Sequence, residues 1–173
     1  MKAVLAVLLA GSSLLTHAQL AHAQPANPRA ACGTGNLPFT LKLTNEAPVS
    51  PDSEPGKALV FFVQDAGYSS ALAYPTTRIG IDGSWVGANK DSSYTALTVE
   101  PGEHHACVTV QSSFVDNSTE LAHFTAEAGK TYYYRTRLLL SKSSEYLELT
   151  PIDSDQGWYL VNSLPRSTVK PKK

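Results

Sequence analysis

Two adjacent histidines, His104 and His105, are the residues whose type and spacing most directly suggest chemistry. They fall in a segment with the character of a β-strand, so their side chains point to opposite faces and cannot both ligate one metal ion. A metal site would need His123 or an acidic residue brought in by the fold, and no ligand spacing indicates one. We therefore assign no metal site, and we expect one histidine in solvent and the other packed or hydrogen-bonded.

Other catalytic arrangements are also missing from the sequence. No Gly-x-Ser-x-Gly motif is present to mark a serine nucleophile. The glycines of residues 80–87 lie in a predicted hairpin and not between a strand and a helix, which argues against a phosphate-binding loop. We assign no catalytic residue and no cofactor, and we predict that the protein is not an enzyme. The alternative is a hydrolase whose carboxylates converge only in the fold.

Aromatic side chains are the remaining candidates for recognition. Trp85 follows the hairpin turn, and Tyr68 and Tyr74 lie in a loop over residues 65–75. Tyrosine and tryptophan are common in contacts with carbohydrates and proteins. We expect most aromatic residues to pack in the core, and we name these three as candidate surface contacts.

The chain has two cysteines, Cys32 and Cys107. In an oxidising compartment an even cysteine count favours a disulfide, and only one pairing exists. Such a bridge would tie a polar N-terminal segment to the core. The alternative is two separate buried thiols. No Cys-x-x-Cys motif suggests redox chemistry.

Residues 1–23 have the pattern of a secretory signal peptide. Lys2 precedes an apolar run that is too short to span a bilayer, and two small-x-small sites follow it. We predict cleavage after Ala23, with Ala18 as the second choice and a retained membrane anchor as the alternative. The mature protein is then exported, to the periplasm or beyond the cell, and has no transmembrane segment.

Removal of that segment leaves 150 residues, the size of one ordinary domain. The mature part carries 13 basic and 15 acidic side chains, a net charge of −2. This near-balance gives no electrostatic reason to expect a nucleic-acid partner. Four C-terminal basic residues are expected to form a solvated tail: Arg166, Lys170, Lys172 and Lys173.

Short strands separated by turn residues must position all of these groups. Residues 58–63 form a continuous apolar run, which predicts a central strand buried on both faces. Asp82-Gly83 predicts a type I′ hairpin turn, in which both residues need positive φ. Asp153 is placed to cap a short C-terminal helix. Further strands are predicted over residues 39–44, 76–81, 84–87, 94–100, 103–111, 121–126, 131–140 and 145–150.

About eight strands at this spacing, without a long helical period, predict a single all-β domain built as an antiparallel β-sandwich. Residues 24–38 form an N-terminal segment tied down by the disulfide, and residues 39–173 form the sandwich with its basic tail.

Four segments in order resemble the exported bacterial domain-of-unknown-function family 2846. They are residues 55–61 (PGKALVF), 81–87 (IDGSWVG), 99–105 (VEPGEHH) and 127–133 (EAGKTYY), and residues 31–33 and 153–157 also look like its members. The central part is similar to PEGA-type domains, small β-sandwich modules of bacterial envelope proteins. The resemblance implies an Ig-like or transthyretin-like sandwich outside the cytoplasm and brings no reaction with it.

The leading hypothesis is a non-catalytic envelope module whose partner is a protein or a polysaccharide of the cell surface. Fold analogy alone supports the binding part of this hypothesis. The two alternatives are the hydrolase named above and a periplasmic metal-handling protein that uses His104 or His105 with His123.

Overall fold

The computed structural model describes residues 31–52, 54–65, 76–111, 118–140 and 145–172. Within these ranges the chain forms ten strands and one helix. The elements are β1 (Phe39–Thr44), β2 (Ala58–Gln64), β3 (Thr76–Ile81), β4 (Ser84–Lys90), β5 (Ser93–Val99), β6 (Gly102–Gln111), β7 (Thr119–Ala126), β8 (Thr131–Leu140), β9 (Glu145–Ile152), α1 (Ser154–Ser163) and β10 (Arg166–Pro171). No helix in the described part of the chain is long and apolar enough to cross a membrane.

The strands form two sheets. Sheet A has the order β1-β10-β5-β2-β8-β9, and sheet B has the order β4-β3-β6-β7. The predicted all-β sandwich fits this architecture, with two differences. The described strands number ten and not about eight, and sheet A is mixed, because β2 runs parallel to β8 and β10 runs parallel to β5. Alternation along a strand says which side chains are buried but not which direction its neighbour runs, so an all-antiparallel sheet A could not be tested from sequence.

Strand β2 explains how the molecule is layered. All of its residues are buried, as the continuous apolar run predicted. Ala58, Val60 and Phe62 face the cluster between the two sheets, whereas Leu59 and Phe61 face a second cluster on the other side of sheet A. A strand covered on both faces does not alternate with polar residues, and that is why residues 58–63 are all apolar.

Helix α1 covers the second cluster. Asp153 caps it as predicted, since its carboxylate accepts a hydrogen bond of 2.8 Å from the Gln156 backbone N–H. Val161 is fully buried against sheet A. Gly157 lies so close to Tyr133 that an added Cβ would be 2.3 Å from its ring, so the helix can approach the sheet only without a side chain there.

The Asp82-Gly83 hairpin is confirmed. Asp82 has φ 50° and Gly83 has φ 83°, and Ile81 pairs directly with Ser84 across the two-residue loop. Both loop residues therefore adopt the left-handed conformation that a type I′ turn requires.

The C-terminal basic segment is not the solvated tail that its composition predicts. Residues 166–171 form β10, an interior strand of sheet A between β1 and β5. Ser167 is buried and its hydroxyl donates to the Ala88 carbonyl at 2.6 Å. Lys170 is exposed on this strand, and Lys173 lies outside the described residues. Backbone pairing holds β10 in place, which a composition argument does not detect.

Candidate functional site

Residues 31–35, the N-terminal strap, cross the outer face of sheet B, the face turned away from sheet A. Two hydrogen bonds attach the strap to the hairpin: the Gly83 N–H donates to the Ala31 carbonyl at 3.1 Å, and the Trp85 indole N–H donates to the Gly35 carbonyl at 3.3 Å. A Cβ on Gly80 would lie 3.0 Å from both Ala31 and Cys32. The strap therefore passes directly over a position on β3 where no side chain fits.

The predicted disulfide is present: Cys32 and Cys107 are bonded, with their Cα atoms 5.2 Å apart. Cys107 lies on β6 directly opposite Gly80 of β3. The space above Gly80 is thus filled by the strap, and the neighbouring position supplies the sulfur that anchors it. The alternative of two separate thiols is wrong.

Trp85 lies half-buried beneath the strap. A Cβ on Gly33 would be 2.4 Å from the indole ring, so the strap packs directly on it. The guanidinium carbon of Arg78 is 4.9 Å from the ring centroid, a cation–π distance. These contacts show how the side chain holds the strap, while its proposed role in surface recognition stays a prediction. Tyr68 and Tyr74 lie outside the described residues.

His105 and His123 meet on the same outer face. They lie directly opposite each other on the antiparallel strands β6 and β7, with ring centroids 4.8 Å apart. The Glu103 carboxylate is 3.9 Å from Nε2 of His123, whose side chain is 54% exposed. From sequence, His105 with His123 was named only as an alternative, because 18 residues separate the two histidines and the β6–β7 register is what brings them together.

The side chain of His104 points to the other face of sheet B, and both of its ring nitrogens have hydrogen-bond partners. Its Nδ1 lies 2.6 Å from the Asp82 carboxylate and its Nε2 lies 2.7 Å from the Glu100 carbonyl oxygen. Both partners offer acceptor oxygens, so both ring nitrogens can donate at once only when the imidazole is protonated. Burial acts against the charge, but the hydrogen bonds to Glu100 and Asp82 outweigh it and raise the pKa of His104 above 6.5.

Asp82 thereby joins the hairpin tip to β6. Its second carboxylate oxygen accepts the His105 backbone N–H at 2.8 Å, and its own N–H donates to the His105 carbonyl at 3.0 Å. In addition to adopting the positive φ of the turn, Asp82 therefore holds the hairpin against β6.

Three acidic groups of the described residues have separate structural roles. Asp65 accepts two hydrogen bonds from the Arg135 guanidinium, Glu100 pairs with Lys57 at 2.8 Å, and Asp153 caps α1. Across the described ranges, no three His, Cys, Asp or Glu side chains are grouped so as to hold a metal ion.

One catalytic spacing escaped the sequence analysis. Ser167 and Lys170 have the Ser-x-x-Lys arrangement of some serine nucleophiles. On a strand, residues three apart face opposite ways, and Ser167 is buried while Lys170 is exposed. The two side chains therefore do not form a nucleophile–base pair.

Comparison with known proteins places most of the sandwich in one family. The family described as "Protein of unknown function (DUF2846)" matches residues 54–148. That range runs from just before β2 into β9, and it includes Cys107 and both members of the histidine pair. No curated protein and no solved structure matches the chain.

Proposed function

The chain belongs to the DUF2846 family of proteins of unknown function, and on that premise we propose that it is an exported, non-catalytic β-sandwich module of the bacterial envelope that binds a protein or a polysaccharide. The observation that carries this proposal is the Cys32–Cys107 disulfide. Disulfides persist in oxidising compartments, and Cys32 closely follows the signal peptide predicted over residues 1–23. The likeness of residues 81–87 and 99–105 to PEGA-type domains supports the same location.

The non-catalytic part rests on how the chemically capable side chains are used. Catalysis needs a nucleophile or an acid–base pair beside a charge-stabilising group in a sheltered cleft. Here both nitrogens of His104 are engaged, and Asp65 is held by Arg135. These groups stabilise strands and turns, which favours a binding or structural role.

The outer face of sheet B is the contact surface that we favour. Leu121 lies opposite Cys107, next to the histidine pair, and is 40% exposed. It combines an apolar side chain with neighbouring imidazoles and a rigid disulfide-anchored strap. The competing surface is Tyr159 on α1, which is 71% exposed.

Two experiments test the location and the contact surface. Protein made in a bacterial host should begin at Gln24, or at Gln19, on N-terminal sequencing; an intact Met1 in the membrane fraction would contradict export. Affinity capture from an envelope extract should then retain a partner with the wild type and with Tyr159→Ser, and lose it with Leu121→Lys. Loss with Tyr159→Ser alone would move the contact surface to α1.

The absence of catalysis has its own test. Activity profiling against esters, glycosides, peptides and phosphate esters should show nothing above buffer. A turnover that disappears when one specific Asp, Glu or His is replaced would overturn the proposal and favour a hydrolase.

A further inference from the structure

His105 and His123 are held together by the backbone and not by chance contact of two long side chains. Directly paired residues on antiparallel strands have Cβ atoms about 4.5–5.5 Å apart and side chains on the same face. The two rings here have centroids 4.8 Å apart and an interplanar angle of 35°. The sheet therefore fixes the relative position of the two histidines, and only the two side-chain torsions of each remain adjustable.

The nitrogens of this pair differ from those of His104. Within the described residues, neither ring of the pair makes a hydrogen bond, and the Glu103 carboxylate lies 3.9 Å from Nε2 of His123. His104, one residue away, has acceptors on both nitrogens. The outer face thus presents two imidazoles, His123 exposed and His105 partly exposed, with a carboxylate beside them.

We propose that His105 and His123 chelate one divalent transition-metal ion, Cu²⁺ by preference, with water in the remaining positions. Imidazole suits copper, nickel and zinc, and for a given donor set copper binds most tightly of the three. Metal–nitrogen bonds are about 2.0 Å long, so two nitrogens on adjacent corners of a square-planar Cu²⁺ lie about 2.8 Å apart. The two ring centroids are 4.8 Å apart, so one nitrogen of each ring is within reach of a shared metal ion after rotation about the side-chain torsions.

The donor set also argues against a structural zinc site. Structural zinc is held by four protein ligands in a closed tetrahedron. This face offers two imidazoles, and it leaves coordination positions open to water. Such an incomplete set suits the tetragonal geometry of Cu²⁺ or Ni²⁺.

The site is tested by titrating the purified, disulfide-intact protein with Cu²⁺, and separately with Ni²⁺ and Zn²⁺, by calorimetry. We expect one ion per chain, tightest for Cu²⁺. His105→Gln and His123→Gln should each weaken Cu²⁺ binding about tenfold or more, because each removes half of the chelate. His104→Gln is the matched control and should leave the Cu²⁺ affinity unchanged, since its nitrogens are already bonded in the fold.

Electron paramagnetic resonance of the Cu²⁺ complex supplies a readout that folding alone would not change. The spectrum should show two imidazole nitrogens in the wild type and one in either single variant. Bound Cu²⁺ should also raise the melting temperature of the wild type and not that of His105→Gln/His123→Gln, because an ion that joins β6 to β7 binds only the folded chain. Failure of the wild type to bind Cu²⁺, or equal binding by the double variant, would overturn the proposal.

Discussion

The two outer faces of the sandwich are covered in different ways. The outer face of sheet A is covered by α1, through a cluster in which Phe61 stacks on Tyr133 with ring centroids 5.0 Å apart. The outer face of sheet B is crossed by the N-terminal strap, which one disulfide and two backbone-acceptor hydrogen bonds hold in place. Hydrophobic burial closes the first face, and a covalent bond closes the second.

This difference determines which side chains each face can carry. Burial under a helix requires apolar residues, so Leu59, Phe61 and Val63 alternate with the inward-facing residues of β2 without a polar interruption. A covalent strap needs only a cysteine and a small residue beneath it, here Cys107 and Gly80. The rest of the second face can therefore keep polar groups such as the histidine pair. This is the face to which we assign the proposed binding function.

Removing the disulfide should have the largest effect and should be confined at first to sheet B. We expect Cys32→Ala/Cys107→Ala to lower the free energy of unfolding by about 4 kcal/mol, because a cross-link between residues 75 apart in sequence restricts the unfolded chain strongly. Urea denaturation measures this. Hydrogen exchange at the Gly83 amide, which donates to Ala31, should accelerate under native conditions while amides under α1 stay protected.

The disulfide prediction can fail in two ways. Two titratable thiols in air-oxidised native protein would show that the bridge does not form. Equal acceleration of exchange under α1 would show that the two faces are not covered independently.

The next effect concerns the cover of sheet A. Gly157→Ala should lower the free energy of unfolding by about 2 kcal/mol, because overpacking against Tyr133 costs up to about 3 kcal/mol and better helix propensity returns about 1. Gln156→Ala, exposed one position earlier in the same helix, is the control and should be neutral or slightly stabilising. Thermal denaturation compares the two. A stabilised Gly157→Ala would mean that α1 does not approach β8 so closely.

The hairpin beneath the strap should respond less strongly. Gly83→Val should cost about 1–2 kcal/mol, the cost of placing a side chain in the left-handed conformation that Gly83 adopts. Ser84→Val is the matched control, since Ser84 is exposed on an extended strand that accepts β-branched residues. Equal stability of the two variants in urea would show that the turn tolerates a Cβ.

The smallest effect is the pH dependence of the contact between His104 and Asp82. Because the folded-state pKa of His104 is raised above 6.5, its stabilisation is fully present below about pH 6.5 and is lost as pH rises through the higher folded-state pKa. At low pH the wild type should exceed His104→Gln by roughly 0.5–1 kcal/mol, and the difference should shrink toward pH 9.

Asp82→Asn tests the same contact from its other side. Asparagine also accepts positive φ, so the turn should survive while the charge is removed. Its stability curve in urea between pH 5 and 9 should lose the same low-pH advantage. A pH-independent difference would mean that the contact between His104 and Asp82 does not depend on protonation.

Several features were determined by the sequence alone, and each is local or has no alternative. The Asp82-Gly83 turn depends on the φ preferences of two adjacent residues, and the Asp153 cap depends on one side chain reaching a backbone N–H three residues ahead. The burial of both faces of β2 could be predicted because an uninterrupted apolar run has no other stable environment. The pairing of Cys32 with Cys107 followed from there being only two cysteines.

Only the tertiary structure decided the features that depend on register and direction. His105 faces His123 because β6 and β7 pair in one register, and a shift by one residue would place them on opposite faces. Residues 166–171 form an interior strand through backbone pairing with β1 and β5. Their polar side chains do not predict this pairing. Trp85 was brought under the strap by the β3–β4 register, which places it opposite Gly80. Strands pair through backbone groups that are far apart in the chain. The alternation of apolar and polar residues in one segment therefore does not identify the strand with which it pairs.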